Sequence, residues 1–190
     1  MAAPTNGTTA YDLHKDKDFD ASAIPVSAWD DLWGNFFSMR KTVVPDGRSK
    51  EDFAAFDMHI DNALALNARI STLSHSYYFA VPCTATTAGE DAFHRPIRSI
   101  MEPMFRRSSL QMGFYTGLTP GGVTIDSSWR ENDGLVNTVS AMAPIGAPSV
   151  IYDPDRVIPG LWQVMPAYYG DHMSLQGGIM KYHNIRPFYL

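Results

Sequence analysis

The sequence has 190 residues, 45% of them hydrophobic and 12% aromatic, with a formal net charge of −5 at pH 7. This length fits one domain with a sizeable core, and the negative charge provides no basic surface for nucleic acid or an anionic membrane. The single cysteine, Cys83, excludes an internal disulfide; we expect it to be a small buried residue beside a strand. No apolar run reaches transmembrane length, and the first residues lack the charged and apolar regions of a secretory signal.

A turn and an aromatic helix are predicted near the start of the chain. Pro4, Asn6 and Gly7 indicate an interior turn between a strand and a loop, rather than the start of a domain. Ser27 and Asp30 form a capping-box pattern ahead of an amphipathic helix. The helix carries a heavy aromatic face, made of Trp29, Leu32, Trp33, Phe36 and Phe37. This face would either pack on the core or contact substrate, and the sequence leaves both alternatives open.

Three further helices are predicted from capping residues and apolar spacing. One runs from Ser49 to Phe56, and the next covers residues 60–67. A third is expected over residues 101–110, opened by Pro96.

Strands and loops separate these helices. The clearest strand is the aromatic run at 77–81, and further strands are expected at 135–140 and 161–165. Residues 117–122 are glycine-rich and predict a flexible loop. Strands that alternate with helices and long loops favour an α/β layer architecture.

Asp133 and His172 are the candidate catalytic residues. Asp133 lies in a polar Asn-Asp-Gly turn, and His172 lies in a loop that begins at Gly170. A carboxylate can orient an imidazole and stabilise its charged form while the imidazole moves a proton. The attacking nucleophile of such a site is missing, because no Gly-x-Ser-x-Gly occurs in the sequence. Taken singly, each residue is also typical of an ordinary surface turn or loop.

The other potential ligands form weaker patterns. Asp57, His59 and Asp61 alternate and would share one face of an extended segment. No further cluster with metal-ligand spacing lies nearby in the sequence, so a metal site there has little support. The remaining histidines stand alone and are expected to be structural; they are His14, His75, His94 and His183.

One long segment resembles a known family. The run from Trp129 to Met142, with Glu131-Asn132-Asp133-Gly134 and Val136-Asn137-Thr138-Val139-Ser140, resembles the aspartate segment of the bacterial true lipases. This family includes the thermoalkalophilic bacillar and the staphylococcal enzymes. Weaker similarities occur in the family's order from the first residues to the last: Ala3–Thr9, Phe56-Asp57-Met58, Ala63 with Leu66-Asn67, Pro159 with Trp162, Asp171-His172 and residues 185–190.

The resemblance implies a partial α/β-hydrolase fold, in which residues 1–190 form the C-terminal half of the sheet with flanking helices and long loops. Asp133 would be the acid and His172 the base of a Ser-His-Asp triad. In the family the nucleophile elbow and the oxyanion-hole donors precede the position of Ala3. The resemblance therefore implies a triacylglycerol lipase or carboxylesterase that is inactive alone and acts on ester lipids when completed by an N-terminal half. A non-catalytic fragment or interaction module is the alternative.

The resemblance also carries expectations about metals, the lid and location. Asp57 matches an aspartate on the structural zinc of the bacillar enzymes, whose other ligands lie in the missing half, so zinc is expected only with that half. Calcium is not expected, because Ser174 replaces the family's acidic residue after the histidine and no Asp-Pro follows around residue 179.

The region around residues 20–56 would be a lid-like helical insertion. The family is secreted, which implies an extracellular protein, and the isolated chain is expected to be unstable because its sheet would have an apolar edge.

Overall fold

A computed structural model describes residues 4–38 and 47–177, and short strands and helices alternate within these ranges. The α-helices are α1 (Thr9–Asp12), α2 (Ala28–Ser38), α3 (Ala54–Asp57), α4 (Ile60–Asn67) and α5 (Pro103–Phe114). The strands are β1 (Tyr78–Ala80), β2 (Cys83–Thr84), β3 (Thr86–Ala88), β4 (His94–Pro96), β5 (Gly117–Leu118), β6 (Thr124–Ile125), β7 (Ser149–Ile151), β8 (Trp162–Val164) and β9 (Tyr168–Tyr169). Single 3₁₀ turns lie at Ala21–Ala23, Lys50–Asp52, Ser127–Trp129 and Ser174–Gln176. This mixture confirms the α/β class.

Two parallel stretches of chain form most of the main sheet. Strand β8 pairs in parallel with β1 on one side and with β7 on the other, and β9 pairs in parallel with β2. Backbone hydrogen bonds link these pairs, from Met165 to the Ala80 carbonyl at 2.9 Å and from Tyr168 to the Pro82 carbonyl at 2.8 Å. Pro82 and Pro166 lie where the ladder is interrupted, because proline has no N–H to donate. The segment from β1 to β2 and the segment from β8 to β9 therefore run side by side toward one end of the sheet.

The strand predictions at 77–81 and 161–165 are confirmed by β1 and β8. The prediction of a strand at 135–140 is wrong, because this segment forms turns and only an isolated bridge joins Asn132 to Asn137. Its backbone groups are bonded within the turns and by side chains, for example from Thr8 Oγ1 to the Leu135 carbonyl at 2.6 Å. The flexible loop predicted at 117–122 instead closes the antiparallel hairpin of β5 and β6.

The helix predictions hold with shifted boundaries. Helix α2 begins after a capping box, in which the backbone N–H of Asp30 donates to Ser27 Oγ at 3.2 Å and that hydroxyl donates to Asp30 Oδ2 at 2.8 Å. The helices expected at 49–56 and 60–67 correspond to a 3₁₀ turn with α3 and to α4. Helix α5 begins at Pro103, later than expected from Pro96, which lies in β4. A proline at the first helical position lacks an N–H that would have no partner inside the helix.

Three groups of buried apolar side chains form the core. The largest lies between α1, α4, α5 and β6, and it contains Leu13, Ile60, Met112, Tyr115, Ile125 and Trp129. The second surrounds Cys83 with Val136, Ala141 and Leu175, and the third contains Ala85, Met101 and Phe105. The second and third groups lie under the loops that contain Asp133 and His172.

Asn137 joins the N-terminal turn to the second half of the chain. Its Oδ1 accepts hydrogen bonds from the backbone N–H and the hydroxyl of Thr9, at 2.9 and 3.0 Å, and its Nδ2 donates to the Trp129 carbonyl. Nearby, Thr5 Oγ1 donates to the Ser140 carbonyl at 2.6 Å. The predicted turn is confirmed by a hydrogen bond from Gly7 to the Pro4 carbonyl. Residues 5–9 are thus fixed against a loop that follows far along the chain.

We expect Asn137→Ala to lower the free energy of unfolding by about 2–4 kcal/mol, because it leaves several fully buried polar groups without partners. Urea unfolding followed by tryptophan fluorescence measures the change. Asn35→Ala is the control, since Asn35 is exposed on α2, where it donates to Asp31 and accepts from Arg107; loss of these exposed contacts should change stability by less than about 0.5 kcal/mol. Equal losses in the two variants would contradict the role of Asn137.

Candidate active site

Asp133 and His172 meet at the carboxyl ends of neighbouring parallel strands. Asp133 lies beside the end of β2, where the Ala85 backbone N–H donates to the Asn132 carbonyl at 3.0 Å. His172 follows β9, whose end is fixed by a hydrogen bond from Gly170 to the Thr84 carbonyl at 2.9 Å. Because β2 and β9 are paired in parallel, their carboxyl ends lie at the same end of the sheet, and the Asp133 loop at the end of β2 therefore lies beside the His172 loop.

The two side chains form a direct hydrogen bond. The distance from His172 Nδ1 to Asp133 Oδ2 is 3.0 Å, with the Asp133 side chain fully buried and the His172 side chain 12% exposed. The backbone N–H of His172 also donates to the Asp133 carbonyl at 2.9 Å. An ionised carboxylate can only accept, so the neutral imidazole carries its hydrogen on Nδ1 and leaves Nε2 as the acceptor. The sequence-predicted pair is therefore brought together in the orientation that a catalytic base requires.

The second oxygen of Asp133 is held by its own turn. Oδ1 accepts from the backbone N–H of Leu135 at 3.0 Å and from that of Val136 at 2.7 Å. Gly134 has a φ of +101°, and a Cβ there would lie 2.6 Å from the Cβ of Phe105. The Phe105 ring in turn meets the His172 imidazole edge to face, with centroids 6.2 Å apart. Both members of the pair thus pack against α5.

Asp57, His59 and Asp61 do not form a common face. Asp57 ends α3 and α4 begins at Ile60, so the extended segment assumed from the alternating pattern does not exist. Asp61 accepts from Thr119 Oγ1 at 2.5 Å. Within residues 4–38 and 47–177, no group of three or more His, Cys, Asp or Glu side chains could hold a metal ion.

His59 belongs to a second Asp–His pair that the sequence did not reveal. Its Nδ1 lies 3.0 Å from Asp12 Oδ1, and Asp12 Oδ2 accepts from the backbone N–H of Ile60 at 2.9 Å. The pair joins the end of α1 to the start of α4. No local pattern indicates it, because the partners are 47 residues apart.

The histidines expected to be structural are dispersed over the molecule. His94 bonds Thr86 Oγ1 at 3.1 Å, and burial lowers the pKa of His94. The pKa of His14 is lowered by burial and then by the charge of Arg107. His75 is exposed, and His183 lies outside the described residues.

Cys83 is not an alternative nucleophile. The thiol is buried in β2, as expected from the sequence. Burial first, and then the negative charges of Asp133 and Asp171, raise the pKa of Cys83 to about 12. Because the thiolate is the reactive form, the thiol is inert at neutral pH.

Helix α2, the centre of the predicted lid region, packs on α5 through charges. Asp30 is buried and forms ion pairs with Arg98 and with Arg106, the latter at 3.5 Å. Trp29 and Leu32 are exposed on the same helix. The helix therefore has one face that is packed and one that is open, while the side chains of Phe36 and Phe37 lie outside the described part. Its role as a lid stays a prediction.

A cavity of about 610 Å³ lies against the sheet, away from Asp133. Its floor includes Tyr78 of β1 and Trp162 of β8, whose rings are 5.3 Å apart. Its walls come from residues 54–58, from α4, from residues 144–148 and from Pro4 and Thr5. Asp57, the predicted zinc ligand, lines this cavity.

The chain is similar in sequence to staphylococcal lipases. Lipase 1 of Staphylococcus aureus is 28% identical over 130 residues, which cover 67% of this chain and 17% of that protein. Lipase 2 of Staphylococcus aureus is 26% identical over 132 residues, covering 68% of this chain and 18% of that protein. No family model matches the chain.

Solved structures of two lipases and of EstA share its fold. EstA from Clostridium botulinum has a TM-score of 0.73 at 23% identity, covering 99% of this chain and 50% of that one. The Staphylococcus hyicus lipase has a TM-score of 0.67 at 20% identity, covering 98% and 52%, and lipase 1 from Pelosinus fermentans a TM-score of 0.64 at 22% identity, covering 98% and 56%. The resemblance to bacterial lipases is confirmed. The chain spans about half the length of these structures and less than a fifth of the two curated relatives.

We expect Gly134→Ala to be more harmful than Gly122→Ala. Both glycines have positive φ, at +101° and +88°, but a Cβ at Gly122 would meet nothing within 4 Å. The Gly122 variant isolates the backbone cost of about 1–2 kcal/mol, and the Gly134 variant adds about 1–3 kcal/mol of steric conflict with Phe105. Urea unfolding compares the two, and equal losses would show that Phe105 does not constrain the Asp133 turn.

Cys83 should resist modification in the native protein. Its raised pKa and its burial predict little reaction with Ellman's reagent at pH 8 until the chain is unfolded by guanidinium, when one thiol should react. Rapid reaction of the folded chain would contradict the buried position of β2.

Proposed function

We propose that Asp133 and His172 are the acid and base of a serine-type carboxylic ester hydrolase of the lipase kind. The observation that carries this proposal is the 3.0 Å hydrogen bond between His172 Nδ1 and the fully buried Asp133. The motif resemblance and the lipase relatives support the reaction class. The sequence contains no Gly-x-Ser-x-Gly; by the lipase resemblance, the serine and the oxyanion-hole donors would come from an N-terminal half that completes the partial α/β-hydrolase fold.

The geometry defines what each group would do. Nε2 of His172 takes the proton of the serine hydroxyl as its oxygen attacks the ester carbonyl, and Asp133 stabilises the imidazolium that forms. His172 then gives this proton to the leaving alcohol, which leaves an acyl-enzyme. Water, activated by the same Nε2, releases the carboxylic acid and restores the serine. This chain supplies the proton transfer, while the covalent step requires the other half.

The second pair, Asp12 and His59, is less suited to this role. It has the same distance of 3.0 Å and similar burial, but it fastens two helix ends together. The Asp133–His172 pair lies in loops at the carboxyl end of parallel strands, which is where open α/β sheets bind ligands. We therefore assign the chemistry to Asp133 and His172 and a structural role to Asp12 and His59.

The sheet offers a place for the missing half. Among the described residues, β1 pairs only with β8, so its other edge has no strand beside it. Tyr77 and Phe79 at this edge are exposed, and the 610 Å³ cavity lies on the neighbouring face. A strand and a helix from the N-terminal half would cover both. The same exposed edge explains why we expect the isolated chain to be unstable and prone to aggregate.

Ester lipids are the proposed substrates, because the relatives are named lipases. The exposed Trp29 and Leu32 on α2 would contact a lipid surface if this helix is part of a lid. Secretion and a zinc ion held in part by Asp57 follow only from the resemblance. Among the described residues, no helix is long and apolar enough to span a bilayer.

The alternative function is that of a non-catalytic interaction module. It is favoured by the absence of a nucleophile motif in the sequence and by the inert thiol of Cys83. In that case the exposed edge of β1 would still bind a partner chain, and the Asp133–His172 pair would serve only stability.

Complementation distinguishes the two functions. The chain is mixed or co-expressed with the N-terminal half of EstA from Clostridium botulinum, and cleavage of p-nitrophenyl butyrate is measured. We expect activity in the mixture and none in either half, with a loss of about 10⁴-fold in kcat for Asp133→Asn or His172→Ala.

His59→Ala is the matched control, because it removes an Asp–His hydrogen bond of equal length. We expect this variant to lose stability but to keep its activity per folded molecule. Equal loss of activity in His59→Ala and His172→Ala would refute the assignment, and a complex that forms without any activity would support the module.

A further inference from the structure

Asp171, which precedes His172, is fully buried and has a carboxylate that accepts several hydrogen bonds. Its Oδ2 accepts from the backbone N–H of Glu102 at 2.8 Å. Its Oδ1 accepts from Ser174 Oγ at 2.9 Å and from the backbone N–H of Met173 at 3.1 Å. Glu102 and Ser174 are themselves fully buried. One side chain therefore gathers donors from the two residues that follow His172 and from the start of α5.

These bonds close the histidine loop onto the helix that supports the catalytic pair. Glu102 is the N-cap of α5, and Phe105 in the first turn of α5 packs against both Gly134 and His172. Asp171 accordingly links His172 to the same helix on which the Asp133 turn rests. A shift of this loop would change the distance between Nδ1 and the Asp133 carboxylate directly.

The residues present do not fit the calcium ion that the lipase resemblance implies after the histidine. Calcium takes about six to eight oxygen ligands, several of them carboxylates. Residues 172–190 contain no Asp or Glu, and the described residues contain no group of three acidic or other metal-binding side chains. Ser174, at the family's acidic position, donates its hydroxyl hydrogen to Asp171. The loop has direct hydrogen bonds where a cation would need free carboxylates.

We propose that Asp171 is a positioning residue which, with Ser174 and the Glu102 backbone, holds His172 in place by direct hydrogen bonds without calcium. The proposal deepens the proposed function, because it rests on His172 being the base. The hydrogen bonds from Ser174 and from the Glu102 backbone to the Asp171 carboxylate take the place of the cation. The geometry of the Asp133–His172 pair is then independent of calcium.

Thermal unfolding of the full chain tests whether these hydrogen bonds stabilise the His172 loop without calcium. We expect the same Tm, within about 1 °C, in 5 mM CaCl₂ and in EDTA, because a ligand stabilises only the state that it binds. Ser174→Ala should lower Tm by about 2–8 °C through the loss of a buried hydrogen bond. Ser128→Ala is the matched control, since the Ser128 hydroxyl also donates to an aspartate, Asp126, but at an exposed 3₁₀ turn; its Tm should be unchanged.

A local measurement separates positioning from general stability. The proton shared by His172 and Asp133 should give a strongly downfield ¹H NMR signal. We expect Asp171→Asn and Ser174→Ala to weaken or broaden this signal at temperatures where their circular dichroism is native, and Ser128→Ala to keep it. These readouts require neither substrate nor the N-terminal half, so their outcome is independent of the ester hydrolysis assay.

Ser174→Asp provides the converse test. We expect it to melt below the wild type in EDTA and in CaCl₂ alike, because the two carboxylates repel each other and are too few to hold the cation. A wild-type Tm that rises by several degrees with calcium and falls with EDTA would overturn the proposal. An unchanged Tm and NMR signal in Ser174→Ala would overturn it equally.

Discussion

The buried polar loop at residues 132–140 is the constraint on which the rest of this structure depends. It has no helix or strand of its own, yet it bonds the N-terminal turn through Asn137 and Ser140. It also bonds β2 through the hydroxyl of Thr138, which donates to the Cys83 carbonyl at 3.0 Å. Within the same loop, Asp133 forms the hydrogen bond with His172. Elements far apart in the sequence thus share one set of partners, and the candidate site is held by the same loop that holds the fold.

Polar groups that are buried away from water cost free energy unless they are hydrogen-bonded. This loop is stable because its own groups and its neighbours supply those partners. Asp133 illustrates the result, since one carboxylate oxygen is fixed by two backbone N–H groups and the other is left for the imidazole. Asp171 uses the same principle one residue before the histidine. Asp133 and His172, the proposed acid and base, are therefore oriented without a nucleophile or substrate, which is what catalysis by positioned groups requires.

Much of the secondary structure could be predicted because its signals are local. The capping box at Ser27 and the aromatic strand at 77–81 depend only on neighbouring residues. The strand predicted at 135–140 fails for the opposite reason. Val136 and Val139 give it an apolar alternation, but Asn137, Thr138 and Ser140 bond distant backbone groups, so tertiary contacts replace the ladder that the alternation suggested.

The sequence by itself determined the α/β class, the polar Asn-Asp-Gly turn and the likeness of its surroundings to bacterial lipases, because these are properties of contiguous residues. Only the tertiary structure decided that Asp133 and His172, 39 residues apart, are hydrogen-bonded. It alone revealed the pairing of Asp12 with His59 and the bonds from Asp171 to Glu102 across 69 residues. Such contacts arise when parallel strands and packed helices bring distant loops to one end of the sheet, and no spacing along the chain encodes that distance.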